Sequence, residues 1–374
     1  MRSINSMLKK YPFYIKSTTI LFGLTLLVYA LFNLKEILIP IAFSLMLAII
    51  LNPLCNWFAK KRMPHVWSII LSLLVAVLVI GGIAYFLSSQ IAGFSNELPV
   101  LKKKITELFA QFQTFIDQRL NINIQKQNKW ISSAGTSMQP FIGQTLGTVV
   151  SSLLVIILLP VYTFLLLFYK TLMLNFFYEV FAEKNSKEVG DILSATKKSI
   201  QSYVVGLLME ALIVAILNTI ALMILGVKYA ILLGVIGAIL NVLPYIGGII
   251  ALALPVLIAT ITKNGFHTQL LIIIAYIIIQ FIDNHFLIPY VVSSKVKINA
   301  LISIIMILLA GAVWGIAGMF LSIPFTGVLK IIFDRIPDLK PWGKLLGDEI
   351  PMHHKGEIWG LRRKKKSLSE KIVE

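Results

Sequence analysis

A carboxylate stands in the middle of an apolar run at Glu210, between Leu207-Leu208-Met209 and Ala211-Leu212-Ile213-Val214. A buried carboxylate in such a run costs several kcal/mol unless it is paired or protonated, so Glu210 is a candidate proton or cation carrier. The alternative is a protonated structural acid bonded to a neighbouring helix. A second polar group follows an apolar run at Gln280, Asp283 and Asn284. Its oxygens could hold a cation or a hydroxylated substrate; equally, Asp283 could be solvated at an interface or paired with Lys295 or Arg335. Between the two lies Asn241-Val242-Leu243-Pro244-Tyr245-Ile246-Gly247-Gly248, where helix propensity collapses. Proline removes a backbone donor and paired glycines free the chain, so backbone amides and carbonyls there become available to a ligand. A close-packed structural kink is the competing reading of the same residues.

The elements that position these groups must be membrane helices. The chain of 374 residues is 57% hydrophobic and 14% charged, with a mean hydropathy of +0.86. Soluble domains are nearer half apolar and a quarter charged, so the expected fold class is all-α and polytopic. The net charge of +17 falls in loops and tails between apolar runs, which fits contact with anionic lipid and not nucleic acid. The single cysteine, Cys55, excludes an intrachain disulfide and a cysteine metal site. No H-E-x-x-H, G-x-S-x-G or Walker-A pattern occurs, so neither an enzyme nor a cofactor or metal is expected, and ATP does not drive this chain by itself. A channel and a non-transporting scaffold are the other classes the composition allows.

Read along the chain, residues 1–89 hold three spans, at about 18–34, 37–58 and 66–89, with basic residues before the first and after the second. Residues 90–146 become amphipathic and then polar, an extracytoplasmic helical insert. Residues 147–334 form the core, with spans at about 147–169, 199–225 and 268–286, and short interfacial helices expected over the charged stretch to Lys198. Two over-long apolar runs complete it, 226–262 and 299–333. The first is broken at the Asn241–Gly248 centre and carries Pro255. The second carries Gly311, Gly315, Gly318 and Pro324, read as hinge or packing positions together with Pro255 and Pro289. Val227-Lys228 precedes Pro255 by the offset that separates Val296-Lys297 from Pro324, and paired interrupted segments are the usual pointer to a transporter's site. Each run can be a bent span or a re-entrant hairpin, giving eight or six crossings, with both termini cytoplasmic either way. Residues 335–374 are a basic cytoplasmic tail.

Gly226-Val227-Lys228-Tyr229-Ala230 and Asn241-Val242-Leu243-Pro244-Tyr245-Ile246-Gly247 resemble the signature of the autoinducer-2 exporter family. Gln280-x-x-Asp283-Asn284-x-x-x-x-Pro289, Gly311 to Gly318, Ile323-Pro324 and Leu51-Asn52-Pro53 fit in the same order. Asp283 departs from the more usual glutamate, and Lys297-Ile298-Asn299-Ala300 departs from a sequence closer to Leu-His-Pro. The resemblance implies a transporter of the bacterial cytoplasmic membrane, typically an exporter driven by an ion gradient. Members of the family include autoinducer-2 exporters and sodium/proton antiporters, and several are oligomeric. The expected partners are therefore a small polar solute or a monovalent cation or proton, the lipid bilayer, and a second copy of the chain. The expected mechanism is alternating access, with Glu210, Asn241, Pro244, Tyr245, Gly247, Gly248, Gln280, Asp283 and Asn284 around the site.

Overall fold

The computed structural model describes residues 12–95, 158–181, 186–242, 247–263, 265–292 and 298–348, with scattered positions between 103 and 125. Pro244, Tyr245 and Lys295, most of the 90–146 insert and the tail beyond 348 lie outside the described residues.

Helix α1, Phe13–Asn33, turns at Leu34 into α2, Lys35–Lys60. Both prolines of α2 are accommodated, and Pro40 is among its fully buried side chains. Helix α3 spans His65–Ser95, longer than its apolar run requires. Helix α4, Leu158–Phe168, bends by 60° into α5, Lys170–Phe181. Helix α6, Ser186–Ile224, is continuous for 39 residues. It absorbs the charged stretch before Lys198 that the sequence pattern divides into separate interfacial helices. No proline interrupts residues 186–224, so nothing forces a break there. At about 1.5 Å per residue α6 is roughly 58 Å long and must extend well past a bilayer core.

The two over-long runs both fold back on themselves. In the first, α7, Ala230–Asn241, is followed by α8, Gly247–Thr262. Gly237 faces Ala251, and a Cβ on Gly237 would lie 3.5 Å from the Ala251 Cβ. Fourteen residues of straight helix would set them about 21 Å apart, so the two helices are antiparallel arms. At the base, Gly226 adopts φ +60°, and a Cβ there would lie 3.2 Å from Lys263 Nζ. At the tip, Gly247 sits so close to the Leu240 carbonyl that any Cβ would collide with it.

The second run, α10, Ala300–Arg335, is helical on both sides of Gly315, whose φ of 60° and ψ of −141° are non-helical. The chain reverses there. Gly318 backs onto the Ala310 carbonyl, and Gly311 meets the Met319 side chain. The two ends of this hairpin meet again at α11, Lys340–Leu346, which a 3₁₀ turn at Pro337–Leu339 introduces. Asn299 donates its backbone N–H to the Leu346 carbonyl at 3.1 Å and its side-chain amide to the Leu345 carbonyl at 2.7 Å. The over-long runs are therefore two helical hairpins. At the far end, Trp314 Nε1 donates to the Leu31 carbonyl of α1 at 2.8 Å, fastening the second hairpin's tip to the first helix.

Helix α9, His267–Ile282, runs directly into a π-helical segment, Asp283–Val292. Helix α6 is the central element, packed against α2, α7, α9, α10 and the π-helical segment. Its buried stripe, Tyr203, Leu207, Glu210, Val214, Asn218 and Leu222, advances by three or four and faces both hairpins. One apolar cluster joins Leu222 to Leu233, Ala251, Ile272 and Tyr276 around the first hairpin. Another joins Tyr203, Leu207, Met46 and Leu321, with Val242 and Trp314 against it, and so connects both hairpins to α2. Large apolar side chains such as Leu21, Leu27, Leu78 and Ile80 are exposed along α1 and α3, as in helices solvated by hydrocarbon.

Candidate functional site

The buried stripe of α6 brings Glu210 against the point where α9 passes into its π-helical segment. Glu210 is 4% exposed and Asp283 1%. Their carboxyl groups lie within hydrogen-bond reach of each other, and such a bond forms only when one of the two groups carries a proton. No lysine or arginine among the described residues lies against either carboxyl group. Asp283 is therefore paired neither with Arg335, which donates to the Ile331 carbonyl, nor with any other described cation.

The first hairpin's tip closes over this pair. Asn241, the last residue of α7, donates its Nδ2 to Asp283 Oδ2 at 2.8 Å. Gln280 Nε2, one turn before Asp283, donates to the same oxygen at 3.4 Å. Asp283 Oδ1 receives no amide or hydroxyl donor. The acceptor ends of both amides turn toward Gly248. A Cβ on Gly248 would lie 3.0 Å from Gln280 Oε1 and 3.6 Å from Asn241 Oδ1. A side chain at 248 would thus push into the amide oxygens, and glycine keeps the space between tip and α9 open. Glu210, Asn241, Gln280, Asp283, Gly247 and Gly248 are brought together. Asn284 is not, being exposed. Pro289 lies further along the π-helical segment. Pro255, Gly311, Gly318 and Pro324 lie within or between hairpin arms, and Pro255 and Pro324 are buried.

The arrangement offers carboxyl and amide oxygens from four elements around the carboxyl pair. Chemically it can exchange a proton for a monovalent cation, or present acceptors and amide donors to a small hydroxylated solute. Among the described residues no three His, Cys, Asp or Glu side chains gather as a metal site.

Sequence reading passed over three buried polar residues along the same helix faces. Asn218 on α6 is 2% exposed, and Tyr276 and Gln269 on α9 are 7% and 6% exposed. The signal was available: 210, 214 and 218 continue one helical face, as do 269, 272, 276, 280 and 283. Asn52, noted only within its motif, accepts from Lys170 Nζ at 2.8 Å where α4 bends into α5.

Among the described residues five helical stretches are long and apolar enough to cross a membrane, one of them the folded-back α10, or six if the bent α4–α5 pair is one span; with a buried carboxyl pair beneath a broken-helix tip, this is the build of a membrane transporter. The family model for AI-2E family transporters matches residues 18–338, and the chain belongs to that family. It is 26% identical to YrrI of Bacillus subtilis strain 168 over 315 residues, covering 80% of this chain and 86% of that protein. It is 28% identical over 320 residues to YueF of the same organism, covering 79% and 83%. Both carry transport-protein names. The AI-2 transport protein TqsA of Escherichia coli K12 is 24% identical over 319 residues, covering 84% of this chain and 90% of its own. These names place the chain with transport proteins and not with enzymes.

Proposed function

We propose that this membrane transporter is a secondary active exporter of a small polar solute, of the kind represented by the autoinducer-2 signal, driven by an ion gradient. The observation that carries the reading is the buried contact between the Glu210 and Asp283 carboxyl groups beneath the Asn241 tip of the first hairpin. A buried pair without a basic partner holds its proton when sealed and can release it only when the tip lifts and water or a cation reaches it. Lifting the tip breaks the Asn241–Asp283 bond, so proton occupancy and hairpin position are linked. Alternating access follows if the first hairpin opens the pair to one face and the second opens it to the other. The hairpins are re-entrant from opposite faces in this scheme, the termini are cytoplasmic, and the membrane is the bacterial inner membrane.

One observation favours a second reading, sodium or lithium/proton antiport. Asp283 Oδ1 lacks an amide or hydroxyl donor, and Asn241 Oδ1 and Gln280 Oε1 converge at Gly248, a set of oxygens suited to a small cation. Flux in proteoliposomes, with a panel of polar solutes and with imposed proton or sodium gradients, separates the two. The exporter reading expects solute flux accelerated by an opposed proton gradient and stimulated from the trans side. The antiporter reading expects sodium-dependent proton movement with no added solute. Passive flux without trans-stimulation, or transport by Glu210→Gln with unchanged rate and pH dependence, overturns both.

A further inference from the structure

Above the carboxyl pair, toward the base of the first hairpin, α6 and α9 place a second set of polar groups face to face. A Cβ on Gly237 of α7 would lie 3.3 Å from Asn218 Nδ2 and 3.7 Å from the Tyr276 hydroxyl, so both side chains converge on the same glycine. Asn218 Oδ1 and the Tyr276 hydroxyl are buried without a hydrogen-bond partner. Orphaned polar atoms of this kind are costly to bury, and ordered water is the usual means of satisfying them. We infer that the Asn218–Gly237–Tyr276 junction is a water-binding station that relays protons between the Glu210–Asp283 pair and the base of the first hairpin.

The helical register supports the connection. Asn218 follows Glu210 by eight positions on α6, and Tyr276 precedes Asp283 by seven on α9, so the two polar levels are roughly 11 Å apart. About three waters at hydrogen-bond spacing cover that distance. The titratable groups along this interface are Glu210, Asp283, Tyr203 and Tyr276. Beyond the station, Leu222 and Ile272 are both 0% exposed and form a dry barrier. Gln269, with its Oε1 buried and unpartnered, lies on the far side of that barrier. The station is therefore sealed toward the hairpin base in this conformation.

The relay role rests on the proton-coupled reading above, whereas the water site stands on the geometry alone, and the test keeps them apart. Pulsed X-ray radiolysis of the full-length protein in lipid nanodiscs, read by mass spectrometry, oxidises buried side chains that touch bound water. Tyr276 is expected to be oxidised several-fold faster than Tyr203, which is equally buried and likewise packed in an apolar cluster but is not among the buried hydroxyls left without a partner. Gly237→Ala is expected to slow that oxidation by narrowing the junction. Oxidation of Tyr276 no faster than of Tyr203 overturns the station. In proteoliposomes, Tyr276→Phe is expected to reduce proton flux several-fold, and Leu222→Ala to add a leak independent of solute. Wild-type proton flux in Tyr276→Phe overturns the relay. If Glu210→Gln leaves proton flux unchanged, the coupling reading falls, and the radiolysis result still decides the water site.

Discussion

At the scale of single residues, the site rests on a carboxyl–carboxyl bond supported by amides. Replacing Glu210 by Gln preserves a donor to Asp283 but removes an exchangeable proton. Glu210→Gln is therefore expected to fold with stability within about 1 kcal/mol of wild type, by thermal unfolding in detergent, and to transport with a flattened pH profile. Asn241→Leu should behave differently. It removes the 2.8 Å bond to Asp283 Oδ2, leaves only the longer Gln280 contact, and is expected to cost about 1–3 kcal/mol. Solute flux should fall as the tip loses its latch. If Asn241→Leu matched wild type in both stability and flux, the latch would have no role. The two carboxylates and the amides of this site were legible in the sequence because charge in an apolar run is conspicuous. Their direct contact was not, since Glu210 and Asp283 are 73 positions apart and only tertiary packing decides whether each finds a cation, water or the other. Asn218 and Tyr276 escaped notice for the opposite reason: one amide and one phenol in an apolar helix are common, and only the glycine opposite them reveals that they converge.

At the scale of elements, both interrupted runs proved to be hairpins closed by glycine at the tip. The length of each run and its Gly/Pro content pointed to a break, but left bent span and hairpin open. What decides between them is whether a carbonyl of the first arm meets a glycine of the second, as Leu240 meets Gly247 and Ala310 meets Gly318. Gly315 is the sharper test. Its φ of 60° with ψ of −141° is a conformation that L-residues avoid at a cost of about 1–3 kcal/mol. Gly315→Ala is expected to lower the unfolding temperature clearly, whereas Gly23→Ala, where nothing lies within 4 Å of a new Cβ, should change it little. Equal effects of the two would argue against a reversal at Gly315. The joining of 186–198 to the following span was hidden because charge patterning marks where a helix leaves the membrane, not where it ends.

At the scale of the whole molecule, the proposed scheme puts the hairpin bases on opposite sides. Helix α6 reaches the first base at Gly226, while α9 and its π-helical segment carry the chain back before the second hairpin begins at Asn299. Single-cysteine labelling in a Cys55→Ser background tests this in intact cells. Lys263→Cys is expected to react with an impermeant maleimide from outside, and Lys344→Cys only after permeabilisation. Reaction of both from the same side would remove the opposed-hairpin arrangement and the alternating-access scheme built on it. The all-helical membrane class was readable from composition, because backbone satisfaction in hydrocarbon leaves few alternatives. The order of packing around α6 was not, because apolar faces in such helices are nearly interchangeable in sequence.

The bond from Trp314 Nε1 to the Leu31 carbonyl has a bearing on which parts of the molecule can travel. The second hairpin is moored at its tip to the helix that opens the chain, while the first is held at its tip by the Asn241–Asp283 bond. Motion of the second hairpin must carry α1 along or part that tether. Helix α1 is then an outrigger of the second hairpin more than a piece of the scaffold. The indole of Trp314 reports on it: quenching or a spectral shift of its fluorescence during turnover would mark the moment the mooring slips.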